Sequence, residues 1–190
     1  MRQRPKIMTD KRELIFQILP PGPEAQRFAD LYPDATWQDG LTYFLDGFPQ
    51  VVNGEVQWLL DGGIAIHLMH PSRKTPKDVD ILTRSEDLPK RFSPSVRDHK
   101  NIFDVKSLRL WMGLRNLQYY SKHQELFFGE YQTLDFQGHR IHAVKPTVLA
   151  LGKTQFWNNK PRDIDKSDIS LLAVPQDELN TFLQGISSTS

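Results

Sequence analysis

The chain has 190 residues and a formal net charge of +1, with 38% hydrophobic and 25% charged residues. This composition is typical of a soluble globular domain with a real core. The absence of cysteine excludes disulfides, zinc–thiolate sites and thiol catalysis. No apolar stretch approaches eighteen residues and residues 1–16 lack a signal-peptide core, so we expect a cytoplasmic protein without a membrane partner.

The N-terminal part, residues 1–57, is predicted to be a charged arm followed by helices that pack on a core. Pro23 stands near the first position of a predicted helix that extends to Tyr32. A second helix is predicted around residues 41–45. The Asn53-Gly54 pair predicts a turn that leads into the central part of the chain.

The central stretch, residues 58–82, contains the candidate site. An apolar strand ends at Asp61, the Gly62-Gly63 pair predicts a tight turn, and a helix is predicted to follow. Without side chains, the two glycines would let a ligand approach the backbone closely. The unpaired N–H groups at the start of the helix would favour an anion there.

Asp78 and Asp80 follow in a strand-like segment. Residues two apart in a strand project from the same face, so the two carboxylates are predicted to lie side by side. A divalent cation commonly keeps such a pair ionised. An anion site followed by a cation-binding pair predicts a metal-bound nucleoside triphosphate.

The rest of the chain alternates between predicted strands and helices. A short helix is predicted over residues 86–92, a strand over 101–106 and a helix over 108–120. The Gln137-Gly138 pair predicts a β-hairpin between residues 131–136 and 140–144. Three helical segments are predicted in the C-terminal part, over residues 146–153, 162–172 and 175–186.

Several motifs, in the central stretch and in the C-terminal part, resemble those of the DNA polymerase β-type nucleotidyltransferase superfamily. Gly62-Gly63 followed by Asp78-Val79-Asp80-Ile81 looks like its signature, with a slightly longer spacer. Arg73-Lys74-Thr75 is similar to the Arg-x-Thr of AbiEii-type toxins and lincosamide-type resistance enzymes. The segment from Pro146 to Lys153 resembles a Pro-x-x-Leu-Leu-Ala-x-Lys helix of the same family.

A last motif of this family is Arg-x-x-Asp-x-x-Asp-hydrophobic, which Arg162, Asp165, Asp168 and Ile169 resemble. The resemblance implies functional roles for Lys153 and Asp168, and Lys153 and Arg73 could reach phosphates. Thr75 is expected to shape its loop. A structural alternative is that the residues at 162, 165 and 168 pair among themselves and join two helices.

A third carboxylate normally completes the cation clamp of a two-metal transferase. The candidates are Asp104, Glu130 and Asp135, all in strand-like contexts. We favour Asp104, because this family usually supplies its third acid soon after the Asp pair. The alternative for each is a solvated acid on a strand, and for Asp104 this alternative is an equally good interpretation.

The predicted fold is therefore α/β (α+β), a minimal nucleotidyltransferase core with a mixed, twisted sheet of four or five strands. The core is assigned to residues 58–145 and the helical C-terminal part to residues 146–190. The predicted reaction is in-line transfer of a nucleoside monophosphate from an NTP to an acceptor, with Mg²⁺ or Mn²⁺ on Asp78, Asp80 and Asp104.

The sequence does not identify the acceptor of the nucleoside monophosphate. Residues 89–124 contain eight Lys or Arg and two Asp, a net charge of +6, so the rest of the chain carries −5. Such a strip would steer a polyanion, which favours RNA or tRNA as acceptor. The family resemblance also permits a protein acceptor or, in its lincosamide-type branch, a small hydroxylated molecule. A non-catalytic binding module of a toxin–antitoxin type is the remaining alternative.

Overall fold

The computed structural model describes residues 23–34, 36–76, 79–84, 87–92, 101–105, 108–112 and 124–188. Its helices are α1 (Pro23–Leu31), α2 (Trp37–Gly47), α3 (Gly62–Met69), α4 (Asp87–Phe92), α5 (Gln124–Phe128), α6 (Pro146–Asn159), α7 (Asp163–Leu172) and α8 (Gln176–Ser188). Its strands are β1 (Val51–Val52), β2 (Glu55–Val56), β3 (Trp58–Asp61), β4 (Val79–Thr83), β5 (Asn101–Val105), β6 (Leu108–Met112), β7 (Tyr131–Phe136) and β8 (His139–Val144).

Within the described residues, the main sheet has six strands in the order β5-β6-β4-β3-β8-β7. Strand β3 is antiparallel to β4 and parallel to β8, and β4 is parallel to β6. The outer pairs β5–β6 and β7–β8 are antiparallel hairpins. The predicted α/β class with a mixed sheet is thus confirmed, with one strand more than expected.

The additional strand is β6, over residues 108–112, where the sequence predicts the start of a helix. That prediction is wrong for these five residues; residues 113–120 lie outside the described part. The reason is tertiary: the segment lies between two strands and pairs with both β4 and β5. Pairing on both sides outweighs the local preference of a Leu- and Met-rich segment for helix.

The central strands form the core because both of their faces are covered. Trp58, Leu59 and Leu60 are all fully buried although consecutive residues point to opposite faces. The Trp58 indole packs edge-on against Phe44 of α2, with ring centroids 5.4 Å apart. Its Nε1–H donates to the backbone oxygen of Phe48 at 3.0 Å, so this buried polar atom is satisfied.

A small hairpin, β1–β2, precedes the core, and its turn at Asn53-Gly54 is confirmed by positive φ angles of 52° and 82°. The Gln50 side chain extends from the start of this hairpin into the main sheet. Its amide nitrogen donates to the backbone oxygens of Trp58 (3.0 Å) and His142 (2.7 Å). Its amide oxygen accepts from the His142 N–H at 2.7 Å. Gln50 therefore joins β3 to β8 with side-chain hydrogen bonds, next to the backbone pair Leu60–Ala143.

The C-terminal helices pack on one another and on the sheet. Thr147, buried at the start of α6, donates a hydrogen bond to Glu178 of α8. The Lys145 ammonium bonds Glu130 at 2.5 Å and lies 4.8 Å from the centre of the buried Phe182 ring of α8. No helix in the described residues is long and apolar enough to cross a membrane.

Candidate functional site

The candidate site lies where β3 ends and α3 begins. Gly62, the first residue of α3, has a φ of +61°, which favours glycine because it lacks a Cβ. Asp61 is the N-cap, and its carboxylate accepts from the Gly62 N–H at 2.7 Å. The predicted glycine turn and the helix after it are therefore present.

Asp80 of β4 reaches into this turn from the neighbouring strand. It is the register partner of Asp61, and its Oδ2 accepts from the Gly63 N–H at 3.3 Å. A Cβ on Gly62 would lie only 1.8 Å from the same Oδ2. The glycine is thus needed for the close approach of a carboxylate of the protein itself.

Asp61 and Asp80 bring two half-buried carboxylates to adjacent strand ends. Directly opposed residues on antiparallel strands have Cβ atoms about 5 Å apart, close enough to share a ligand. Asp61 is not among the site residues that the sequence predicts, because only the antiparallel register shows that it faces Asp80. The available signal was an acid immediately before the glycine pair. Asp78 lies outside the described residues, and its pairing with Asp80 stays a prediction.

Arg73, in the loop after α3, packs against the other glycine. Its side chain is buried and binds Asp168 of α7 through two parallel bonds, Nε to Oδ1 at 2.6 Å and Nη2 to Oδ2 at 2.9 Å. Its Nη1 donates to the Lys74 backbone oxygen at 2.9 Å. A Cβ on Gly63 would lie 2.7 Å from Nη2, so the guanidinium rests directly on this residue. Thr75, further along the loop, is exposed.

The Arg73–Asp168 pair belongs to a chain of alternating charges. Lys153 of α6 contacts both carboxylates of α7, at 2.9 Å from Asp168 and 3.3 Å from Asp165. Arg162 in turn binds Asp165 at 2.5 and 2.8 Å. Together these five residues form what we call the ionic network, with three cations and two anions.

The two acids of the ionic network are fully buried, whereas the Arg162 side chain at its end is 50% exposed. Burial would raise the pKa of Asp165, but the hydrogen bond from Arg162 and the charges of Lys153 and Arg162 lower it below its usual value. The alternative in which residues 162, 165 and 168 pair among themselves is therefore only partly correct. Arg162 pairs with Asp165, but Asp168 binds Arg73 and Lys153.

The register of the sheet shows how far the preferred third acid, Asp104, lies from Asp80. Asp80 pairs with Trp111 of β6, and this strand contains no acidic residue. Asp104 lies one strand further out, on β5 opposite Arg109. Two strand spacings, about 10 Å, therefore separate the backbones of Asp104 and β4.

The other two candidates for the third acid, Asp135 and Glu130, lie at the opposite edge of the sheet. Asp135 is exposed on the edge strand β7, with β8 and β3 between it and β4. Glu130 is exposed next to the same strand, and its hydrogen bond from Lys145 lowers its pKa. Within the described residues, no three His, Asp or Glu side chains are grouped as a metal site. Asp104 remains the predicted third acid.

Most of the basic strip, residues 89–124, lies outside the described residues, including Arg97 and Lys100. Its predicted role in binding a polyanion stays a prediction.

The sequence matches no protein-family model and no curated protein. Among solved structures, the chain is similar to an antigenic nucleotidyltransferase-like protein from Paracoccidioides brasiliensis. The TM-score is 0.45 and the sequence identity is 16%, over 89% of this chain and 90% of the other. A similarity at this level supports no assignment of activity, so the functional argument depends on the site itself.

Proposed function

We propose that the protein is a divalent-cation-dependent nucleotidyltransferase that transfers a nucleoside monophosphate from an NTP to an acceptor and releases pyrophosphate. One observation carries the proposal: the Asp80 carboxylate is held at the N-terminus of α3, opposite Asp61, where a glycine turn lets it approach the backbone. Helix N-terminus and carboxylates together offer sites for an anion and a cation side by side.

The residues at this position fit Mg²⁺ or Mn²⁺. Asp61 and Asp80 supply carboxylate oxygens, the donors that hard divalent cations prefer, and Asp78 is predicted to add another on the same face as Asp80. When bound, such a cation would neutralise charge on the triphosphate and favour the attacking form of the acceptor.

The chain's own groups would orient the triphosphate. The Gly62 and Gly63 N–H groups already bind Asp61 and Asp80, so the first turn of α3 would attract the triphosphate through the partial positive charge of the helix N-terminus. Arg73 and Lys153 lie behind the turn, in a network with one more cation than anions. The sequence predicts that Arg73 and Lys153 reach phosphates. Because both bind buried acids, we propose that they attract the triphosphate as local positive charge.

RNA such as tRNA is the acceptor that we favour, because the basic strip of residues 89–124 carries a net charge of +6. A protein side chain or a small hydroxylated molecule would gain less from this strip. The alternatives differ in which molecule becomes labelled when the protein is incubated with cell extract and an α-labelled NTP.

A second candidate function is a non-catalytic module that binds a nucleotide without transferring it. The observation that favours it is the composition of β6, the neighbour of β4, which lacks an acid at the positions nearest to Asp80. A clamp of two metal ions normally requires such a group.

Substitution of Asp80 by Asn tests the site. We expect this variant to fold and to lose cation-dependent triphosphate binding in titration calorimetry, because the amide removes a charged ligand. Asp135→Asn, which removes an exposed acid on the edge strand, is the matched control and should bind normally. Equal binding by wild type and Asp80→Asn would refute the site. Binding without any labelled product would favour the non-catalytic module.

A further inference from the structure

The contacts around Gly63 suggest a specific task for the ionic network. Gly63 is held from two sides, with its N–H bound to Asp80 Oδ2 and its Cα side covered by the Arg73 guanidinium. The guanidinium is in turn fixed by two bonds to Asp168, and its side chain is only 6% exposed. Little of it remains accessible to a ligand.

We propose that Arg73 is a positioning residue for Asp80, because it is anchored by Asp168 and fixes the glycine whose amide binds the Asp80 carboxylate. In this arrangement α7 determines the orientation of a cation ligand on β4 without itself contacting the cation. The proposal deepens the proposed function, and its metal-binding part rests on it.

The planar fork of arginine is essential to this role. It binds both carboxylate oxygens of Asp168 at once and presents a flat surface to Gly63, which a lysine ammonium cannot do. Arg73→Lys therefore keeps the charge and removes the positioning. Asp168→Asn keeps the shape of the partner and removes its charge.

A role of Arg73 through its charge alone and a role in positioning Asp80 predict different effects of substitutions on Mn²⁺ affinity. If Arg73 acted only through its charge, Arg73→Met would tighten Mn²⁺ binding, Arg73→Lys would leave it unchanged and Asp168→Asn would weaken it. If Arg73 positions Asp80, all three variants weaken it. Loss of a group that orients a metal ligand typically lowers metal affinity about 10–100-fold.

The control is Asp165→Asn. Asp165 is as buried as Asp168 and belongs to the same ionic network, but it contacts Lys153 and Arg162 and has no bond to Arg73 in the structure. Its substitution removes the same charge and should cost a similar amount of stability. It should leave Mn²⁺ affinity nearly unchanged.

The experiment combines Mn²⁺ titration by electron paramagnetic resonance with NMR of protein labelled with ¹⁵N-glycine. We expect the Gly63 amide signal to shift in Arg73→Lys and in Asp168→Asn but not in Asp165→Asn. A double variant of Arg73→Lys with Asp168→Asn should bind Mn²⁺ no more weakly than the weaker single variant, because both remove one interaction.

Three outcomes would overturn the proposal. They are tighter Mn²⁺ binding by Arg73→Met, unchanged Mn²⁺ binding by Arg73→Lys, and a Gly63 amide signal that does not shift in Arg73→Lys and Asp168→Asn. If wild type binds no Mn²⁺, the proposed function fails. The NMR comparison still tests the positioning in that case, since it needs no metal. Should Asp168→Asn not fold, Arg73→Lys carries the test alone.

Discussion

Gly62→Ala should be among the most damaging single-methyl additions in the described part of the chain. An L-residue at a φ of +61° costs about 1–2 kcal/mol. The new methyl would also lie 1.8 Å from Asp80 Oδ2, an overlap that must displace the carboxylate. Overpacking of this kind costs about 1–3 kcal/mol, and loss of the charged hydrogen bond to Gly63 adds about 1.5–3 kcal/mol. We therefore expect the free energy of unfolding, measured by urea denaturation, to fall by about 3.5–8 kcal/mol.

Gly54→Ala provides the matched control for this prediction. Gly54 has a φ of +82° but no atom within 4 Å of an added Cβ, so its substitution measures the backbone strain alone, about 1–2 kcal/mol. Removing the side chain in Asp80→Ala should reduce the cost of Gly62→Ala, which a double-mutant cycle would measure as coupling. If Gly62→Ala destabilises the protein no more than Gly54→Ala, the close approach of Asp80 to the turn is wrong.

Three further predictions concern stability. Burial and the hydrogen bond to Glu24 raise the pKa of Tyr43 to about 12, above its usual 10.0, so its stabilising contribution is complete below pH 10 and is lost toward pH 12. Tyr43→Phe should therefore reduce the fall in unfolding free energy over this range, measured in denaturant at each pH. Asp165 has a lowered pKa, so its contribution is present above about pH 3.8 and is lost on acidification. Asp165→Asn should therefore destabilise the protein most near pH 7, and thermal melts should show the difference from wild type shrinking below pH 4. Gln50→Ala leaves backbone groups of β3 and β8 without their partner and should cost about 1–3 kcal/mol in urea denaturation, whereas the exposed Gln132→Ala should cost little.

The features that the sequence predicts correctly are those that depend on residues close together in the chain. The hairpin at Gln137-Gly138 is present because both residues adopt the positive φ that a tight turn requires. The segment around Leu110 is rich in Leu and Met, which favours a helix, and only its neighbours in the sheet make it a strand. The opposition of Asp61 and Asp80 depends on strand register, which no local pattern specifies. For the same reason, the partner of Arg73 could not be identified from the sequence.

The Arg73–Asp168 ion pair joins positions that are 95 residues apart in the chain. The β5–β6 and β7–β8 hairpins, in contrast, form between adjacent segments. Local contacts generally form early in folding, whereas closing a long loop is slow because its entropy must be lost first. We therefore expect the candidate site to be assembled late, after the hairpins. A chain still being synthesised cannot anchor Arg73 until α7 has been made, so an incomplete product should be unable to bind the cation with full affinity.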